Sequence, residues 1–183
     1  MREQIDKARG CLAMVRRWLV VLLALLLVGC DHATKIAAHA LLPGRDVSVV
    51  RGVLDLHYTE NPDTAFSLTA NLASPYKVTA LVVLAALGMI AVAAYWWRRR
   101  KESSTLEHIG YATAIAGGVG NILDRAVRGV VVDFIRLPHW PVFNVADVLV
   151  GIGVGLLFLG QVLRRRRALS LTTESSPETH LRR

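Results

Sequence analysis

Three aspartates lie within or beside apolar stretches of this sequence, where an ionised side chain is costly. Asp133 lies in the run VVDFI, Asp147 lies in the run VADVL, and Asp124 stands beside Arg125. Two carboxyl groups that share one proton can activate water and protonate a leaving amine, and an apolar setting favours the protonated member. A neighbouring guanidinium favours an ionised carboxyl group, so Asp124 suits an ion pair. The residues alone therefore favour a pair of Asp133 with Asp147 over a pair that includes Asp124.

Other catalytic chemistries have weaker support in the sequence. It contains no HExxH, CxxC or GxSxG motif, and its six histidines are scattered, which argues against a zinc site. No serine has a histidine at a spacing typical of a nucleophile and its base. For each single aspartate, a solvated position at the end of a membrane helix is the alternative to a catalytic role.

Four apolar segments must position these side chains. The chain has 183 residues, of which 53% are hydrophobic, and the segments cover about residues 15–30, 78–97, 106–123 and 142–163. A helix that crosses the hydrocarbon core of a bilayer needs about 20 predominantly apolar residues. We therefore predict a membrane all-α protein with four transmembrane helices, in which residues 1–167 form a single integral-membrane domain.

The net charge of +8 comes from basic clusters at the ends of these segments, in residues 1–17, 98–101 and 164–183. Cytoplasmic loops of membrane proteins carry such an excess, which predicts that both termini and the 98–101 loop are cytoplasmic. This explanation of the charge leaves no role for nucleic acid. The polar residues at the opposite ends of the segments then meet at the outer face. They are Asp31, Lys35, Asn121, Asp124, Arg125, Asp133, Asn144 and Asp147.

Smaller elements are expected outside the four segments. Residues 47–58 are rich in β-branched side chains and contain Gly52, which predicts a small hairpin on the outer face. Residues 33–42 predict a short helix that lies along the membrane interface. The Ser/Thr-rich residues 168–183 predict a disordered cytoplasmic tail.

Five patches of the sequence, taken in order, resemble the signal peptidase II family, the lipoprotein signal peptidases. They are DHATK at residues 31–35, NPDTAFS at Asn61 to Ser67, GGVGNILDR at 117–125, VVDF at 131–134 and FNVAD at 143–147. The resemblance extends over about residues 15–163, and the combination of the last three patches is highly specific.

The resemblance implies an intramembrane aspartic endopeptidase with four transmembrane helices, a small β-cradle and a short interfacial helix on the outer face of the inner membrane. Its substrates are prolipoproteins whose cysteine carries a diacylglyceryl group, and it cuts the peptide bond before that cysteine. The catalytic pair of the family maps onto Asp133 and Asp147. The residues expected to bind the substrate or support the pair are Asn61, Asn121, Asp124, Arg125, Asn144, Asp31 and Lys35. Beyond the substrate and the membrane phospholipid, the resemblance implies no metal, no cofactor and no obligate protein partner.

Three positions depart from the pattern of the family. Asp63 stands where Gly is usual, His32 stands where Gln is usual, and Val148 stands where Ser or Thr is usual. A divergent, weakly active or substrate-restricted relative is therefore one alternative. A small membrane transporter is another, although it predicts carboxylates throughout the depth of the membrane. In a third alternative, the lipobox-like residues 27–30 make Cys30 a lipidation site and the chain itself a substrate.

Overall fold

The computed structural model describes residues 1–63 and 76–174, which form four helices and a three-stranded sheet. In chain order these are α1 (Arg2–Leu41), β1 (Asp46–Val50), β2 (Leu54–Asn61), α2 (Lys77–Arg99), α3 (Thr105–Arg128), β3 (Val131–Arg136) and α4 (Val145–Glu174). Residues 64–67 of the second family-like patch and residues 175–183 of the predicted tail lie outside the described part of the chain.

Helix α3 forms the centre of the bundle and packs against α1, α2 and α4. Among the described residues, three helical stretches are long and apolar enough to cross a membrane: Gly10–Leu41, Lys77–Arg99 and Val145–Ser170. The remaining helix, α3, carries ionisable side chains such as Glu107 and Asp124, which are buried against its neighbours. The third predicted segment, residues 106–123, is therefore a helix, and its passage across the membrane stays a prediction.

The outer surfaces of the apolar helices carry large side chains that are mostly exposed. Leu25 of α1 is 65% exposed, and Leu84 of α2 and Phe158 of α4 are each 69% exposed. Helix α2 has no buried residue at all. Contiguous apolar surface on this scale requires an apolar environment. The protein is therefore membrane-embedded.

Glycines allow the backbones of α3 and α4 to approach closely. A Cβ atom at Gly117 would collide with the carbonyl oxygen of Ala146, and one at Gly153 would lie 2.5 Å from the backbone nitrogen of Ala114. Small residues at such crossings are typical of packed membrane helices. This close contact holds the first turn of α4 against the middle of α3.

The three strands form an antiparallel sheet in the order β1-β2-β3. The hairpin predicted over residues 47–58 is confirmed, because Asp46 pairs with His57 and the intervening Gly52 has φ +77°. A positive φ is accessible to Gly at little cost, which suits it to this turn. One face of the sheet packs on the end of α1 around a buried cluster of Ala38, Leu42, Val132 and Phe134.

The structure corrects the prediction of a separate short helix at residues 33–42. This segment is the last part of α1, which runs unbroken for 40 residues. Residues 30–42 contain neither Pro nor Gly, and Asp31 and Lys35 form an ion pair one turn apart. Nothing in the sequence therefore ends the helix before Pro43 and Gly44.

Helix α4 also extends beyond the predicted segment. It begins at Val145 and continues to Glu174, so it includes the first residues of the segment predicted to be a disordered tail. Residues 168–174 contain no Pro or Gly that would interrupt the backbone hydrogen bonds, and the first such residue after them is Pro177.

Candidate active site

A fully buried lysine joins α1 to α3 at the sheet end of the bundle. The ammonium group of Lys35 lies 2.9 Å from Oδ2 of Asp31, 2.9 Å from Oδ2 of Asp124 and 3.0 Å from Oδ1 of Asn121. Three oxygen atoms thus surround a group that has three N–H donors. Asp31 also accepts a hydrogen bond of 2.8 Å from the backbone nitrogen of Ala146, at the start of α4. The lysine and its partners therefore fix three helices relative to one another.

Asp124 belongs to this ion cluster. Its side chain is 1% exposed, and besides Lys35 it has the guanidinium of Arg128 at 3.8 Å. Arg125, which follows Asp124 directly in the sequence, points elsewhere and donates to the backbone oxygen of Asp63 at 2.6 Å. The ion pair expected for Asp124 therefore exists, but its partners are Lys35 and Arg128. Removal of either partner would leave a buried charge without compensation, so the pairing holds the helices in this arrangement.

Asp147 is positioned by the cap of α4. The side chain of Asn144 accepts a hydrogen bond of 3.1 Å from the backbone nitrogen of Asp147, and Asp147 accepts one of 3.2 Å from the backbone nitrogen of Asn144. This reciprocal pattern is a capping box, which satisfies backbone donors that the first turn of a helix leaves free. The spacing Asn-x-x-Asp thus holds both side chains at the helix terminus.

The amides of Asn121 and Asn144 connect the two aspartates. Asn121 donates from Nδ2 to Oδ1 of Asp147 at 2.8 Å. Asn144 donates from Nδ2 to Oδ1 of Asn121 at 3.1 Å and to Oδ1 of Asp133 at 2.6 Å. Both carboxyl groups therefore belong to one hydrogen-bonded network that continues through Asn121 to Lys35.

Asp133 lies on β3 and is buried. The register of β2 and β3 pairs Thr59 with Asp133, which brings Asn61 beside it so that its Nδ2 donates to Oδ2 of Asp133 at 2.9 Å. Burial raises the pKa of Asp133 to about 6, with a further increase from the charge of Asp147, although hydrogen bonds from Asn61 and Asn144 oppose the change.

The two aspartates have unlike surroundings. Asp133 is 3% exposed, whereas the side chain of Asp147 is exposed at the start of α4. Two carboxyl groups whose environments differ can divide the roles of acid and base, because the buried one retains its proton more readily. Next to an accessible carboxylate that can accept a proton from water, this arrangement supports hydrolysis of a bond placed between them.

Asp63 anchors the chain after β2 to the same site. Its backbone nitrogen donates to Oδ1 of Asn61 at 2.9 Å, and its side chain forms an ion pair with Lys77 at the start of α2. Among the described non-glycine residues, only His139 has a positive φ, so Asp63 does not require the conformation that favours Gly. The sequence reasoning missed Lys77, for which no local motif gives a signal.

The structure brings the predicted site residues together in two connected groups. The first group is the pair Asp133 and Asp147 with Asn61, Asn121 and Asn144, and the second is Lys35 with Asp31 and Asp124. Arg125 stands apart from both and contacts the chain after β2 at Asp63. No group of three or more His, Cys, Asp or Glu side chains among the described residues has an arrangement that could hold a metal ion.

Comparisons with known proteins agree on one family. The family model described as Signal peptidase (SPase) II matches residues 23–163, a range that contains every residue of the two groups. A lipoprotein signal peptidase of Allorhizobium ampelinum is 36% identical over 152 residues, which are 81% of this chain and 90% of the relative. A lipoprotein signal peptidase of Sinorhizobium fredii is 31% identical over 156 residues, which are 83% of this chain and 91% of the relative.

A solved structure has the same fold as this chain. It is a bacterial membrane enzyme determined by the in meso method at 2.3 Å resolution, with a TM-score of 0.66 and 26% identity over 90% of this chain and 94% of the other.

Proposed function

The chain belongs to the signal peptidase II family, and from this premise we propose that it removes signal peptides from lipoprotein precursors as an aspartic endopeptidase. The proposed catalytic residues are Asp133 and Asp147. The observation that carries this proposal is the shared network in which Asn144 donates to Asp133 and caps the helix turn that holds Asp147. It holds one buried and one accessible carboxyl group near each other.

The roles of the two carboxyl groups follow from their surroundings. Asp147 is accessible, so it takes a proton from the attacking water while the water oxygen bonds to the carbonyl carbon. Asp133, whose pKa is raised to about 6, donates its proton to the carbonyl oxygen. When the C–N bond breaks, the leaving amine receives the proton that Asp147 took from the water, and a hydroxyl group of the tetrahedral intermediate returns a proton to Asp133. Because the two groups are coupled, the measured pKa values belong to the pair.

The substrate class follows from the family and from the membrane surface. The proposed substrates are prolipoproteins that carry a diacylglyceryl group on the cysteine after the cleaved bond. Their acyl chains and apolar signal helix remain in lipid, so that binding consists largely of positioning the bond at the dyad. Asn61, Asn121, Asn144 and Arg125 support the dyad or the substrate backbone, and Asp31, Lys35 and Asp124 hold the helices that carry them.

The proposed orientation rests on the two ends of the bundle. The dyad lies at the start of α4, and arginines 164–167 lie towards its end, at the level of the basic 98–101 segment. Basic residues favour the cytoplasmic side. We therefore orient the protein with four crossings of the inner membrane, both termini in the cytoplasm and the dyad at the outer face.

The test is cleavage of a diacylglyceryl-modified prolipoprotein by the full chain purified in detergent. Asp133→Asn and Asp147→Asn should each lower kcat by about 10³-fold or more, because each removes a group that transfers a proton. The matched control is Asp46→Asn, which changes an exposed aspartate of the sheet and should retain activity. Cleavage that survives Asp133→Asn but is lost in a well-folded Asp124→Asn variant would assign the second carboxyl group to Asp124.

A further inference from the structure

A basic cleft opens between α2, α3 and α4 at the end of the bundle opposite the dyad. Its volume is about 470 Å³, and the residues that give it its character are Tyr95, Arg99, Glu107, Tyr111, Arg164 and Arg165. Along α4, Arg164 is about 26 Å from Asp147, at 1.5 Å for each residue. The cleft is therefore separate from the proposed active site.

Glu107 is the only carboxylate among the residues that line the cleft, and both of its oxygen atoms already have partners. Glu107 is 4% exposed, and its Oε2 accepts a hydrogen bond of 2.7 Å from the backbone nitrogen of Ser104 in the capping box of α3. Its other oxygen forms an ion pair with Arg164. Glu107 therefore balances Arg164 and leaves the charges of Arg99 and Arg165 as a surplus.

The charge of Arg99 is only weakly compensated. Its guanidinium lies 2.9 Å from Oε2 of Glu102, but both side chains are at least half exposed, and such pairs contribute little. It also donates to the hydroxyl oxygen of Tyr95 at 3.1 Å, which orients the guanidinium on the α2 side of the cleft. An anion that enters the cleft therefore meets cations on two sides, from α2 and from α4.

The surroundings of the cleft are those of a membrane interface. Trp96 stacks on Tyr111 with ring centroids 5.7 Å apart, and Arg100 lies 4.0 Å above the ring of Trp97. Tryptophan and tyrosine concentrate where lipid head groups begin. The cleft thus lies at the depth at which a lipid phosphate is found.

Apolar helix faces continue from the cleft towards the bilayer centre. Leu87 lies two turns before Tyr95 on α2 and is 58% exposed. Phe158 lies one turn before Gln161, which also lines the cleft from α4, and is 69% exposed. Residues at these spacings share a helix face. An acyl chain that follows either face leads directly to the cleft.

We propose that the basic cleft binds the phosphodiester of an anionic membrane phospholipid, with its acyl chains against α2 and α4. Arg99 and Arg165 donate to the phosphate oxygens, an interaction for which the guanidinium fork is suited. The surplus positive charge selects against a zwitterionic head group, because its ammonium is repelled.

The test is native mass spectrometry of the full chain in detergent with phosphatidylglycerol and phosphatidylcholine of the same acyl composition. The wild-type protein should retain phosphatidylglycerol in preference to phosphatidylcholine. Arg99→Gln/Arg165→Gln should lower this retention about tenfold, because two charge-assisted contacts are removed. The matched control Arg166→Gln/Arg167→Gln removes the same charge outside the cleft and should change retention by less than about twofold.

Three results would overturn the proposal. They are equal retention of the two lipids by the wild-type protein, an equal loss of phosphatidylglycerol retention in the two double variants, and an increase in Tm with free phosphate that equals the increase with phosphatidylglycerol. For the last, thermal unfolding of the wild-type protein is measured with phosphatidylglycerol or inorganic phosphate, since a ligand that binds the folded state raises Tm. A rise with phosphatidylglycerol alone supports the lipid, and an equal rise with inorganic phosphate assigns the cleft to a soluble anion.

Discussion

The ammonium group of Lys35 lies 3.0 Å from Oδ1 of Asn121, and this contact sets the direction of the Asn121 amide. Because an ammonium can only donate, the carbonyl end of the amide faces Lys35 and the NH₂ end faces Asp147, to which it donates at 2.8 Å. A buried ion cluster that makes no direct hydrogen bond to Asp133 or Asp147, the proposed catalytic residues, thus orients Asp147 through a single side chain.

We expect Lys35→Met to lower the free energy of unfolding by about 3–5 kcal/mol, because Asp31 and Asp124 stay buried without their shared cation. The measurement is a denaturant titration of the purified protein. The double variant Asp31→Asn/Lys35→Met removes one of the stranded charges, so it should be more stable than Lys35→Met alone. A double variant that is less stable than Lys35→Met would contradict the ion cluster as the source of the loss.

The buried Asp133 should make stability fall as pH rises. Its pKa of about 6 lies above the value of about 3.9 in an unfolded chain. The folded state therefore binds the proton more tightly, so the contribution of Asp133 is complete below about pH 3.9 and is lost as pH rises through about 6. We expect Asp133→Asn to be more stable than the wild-type protein at about pH 7.5, by about 1–3 kcal/mol, and to lose this advantage at about pH 4.

Asp46 is the control for this pH dependence, because its pKa is shifted in the opposite direction. It lies on the exposed side of the sheet, and hydrogen bonds from His57 and then Arg136 lower its pKa. A lowered pKa gives a contribution that is present at neutral pH and lost in acid. Asp46→Asn should therefore gain no stability at about pH 7.5. Two results at that pH would contradict the raised pKa of Asp133. They are a gain of stability in both variants and a loss of stability in Asp133→Asn.

Asn144 caps α4 and donates to Asp133, and two substitutions separate these contacts. Asn144→Ser keeps an oxygen that can cap α4 but removes the amide donor to Asp133, whereas Asn144→Ala removes both. We expect Asn144→Ser to lower kcat by about 10- to 100-fold because Asp133 loses its shortest hydrogen bond. Asn144→Ala should cost about 1 kcal/mol more stability than Asn144→Ser, which is the usual cost of a lost cap. Equal kcat in Asn144→Ser and the wild-type protein would show that the amide donor is dispensable.

The close crossing of α3 and α4 predicts a second pair of variants. A Cβ at Gly117 would collide with Ala146, which directly precedes Asp147, so Gly117→Ala should displace the start of α4 and reduce both stability and kcat. Gly155 of α4 has no atom within 4 Å of an added Cβ. Gly155→Ala should therefore leave kcat unchanged and raise stability by up to about 1 kcal/mol, since Ala is the better helix former. Equal effects of the two substitutions would argue against the close crossing.

The parts of the site that are local in sequence could be predicted. The spacing of Asn144 and Asp147 puts them in one helical turn, and the apolar neighbours of Asp133 indicate its burial. The hairpin around Gly52 was equally local. Such features depend on a few consecutive residues, whose backbone preferences are expressed wherever the segment lies.

The partners of the charged residues could not be predicted, because they depend on packing between distant segments. Lys35 and Asn121 are 86 positions apart, and only the crossing of α1 and α3 brings them into contact. The sequence suggested Arg125 as the neighbour of Asp124, yet helix geometry turns consecutive side chains to different directions. The unbroken α1 was missed because the change from apolar to polar residues after Cys30 was interpreted as the end of the helix. Residues 30–42 contain no Pro or Gly, so nothing in the backbone interrupts the helix there.

Helix α4 runs without a break from Asp147 to the arginines at 164–167, so it fixes the distance between these two levels of the protein. The distance from Asp147 to Arg164 along the helix, about 26 Å, is close to the hydrocarbon thickness of about 30 Å. In the proposed function, a signal helix of matching length that spans beside α4 would bring its far end level with the carboxyl groups of Asp133 and Asp147. A shorter or longer signal helix misses that level unless it tilts or deforms the bilayer. For the proposed substrates, we therefore expect the hydrophobic length of the signal helix to contribute to selection.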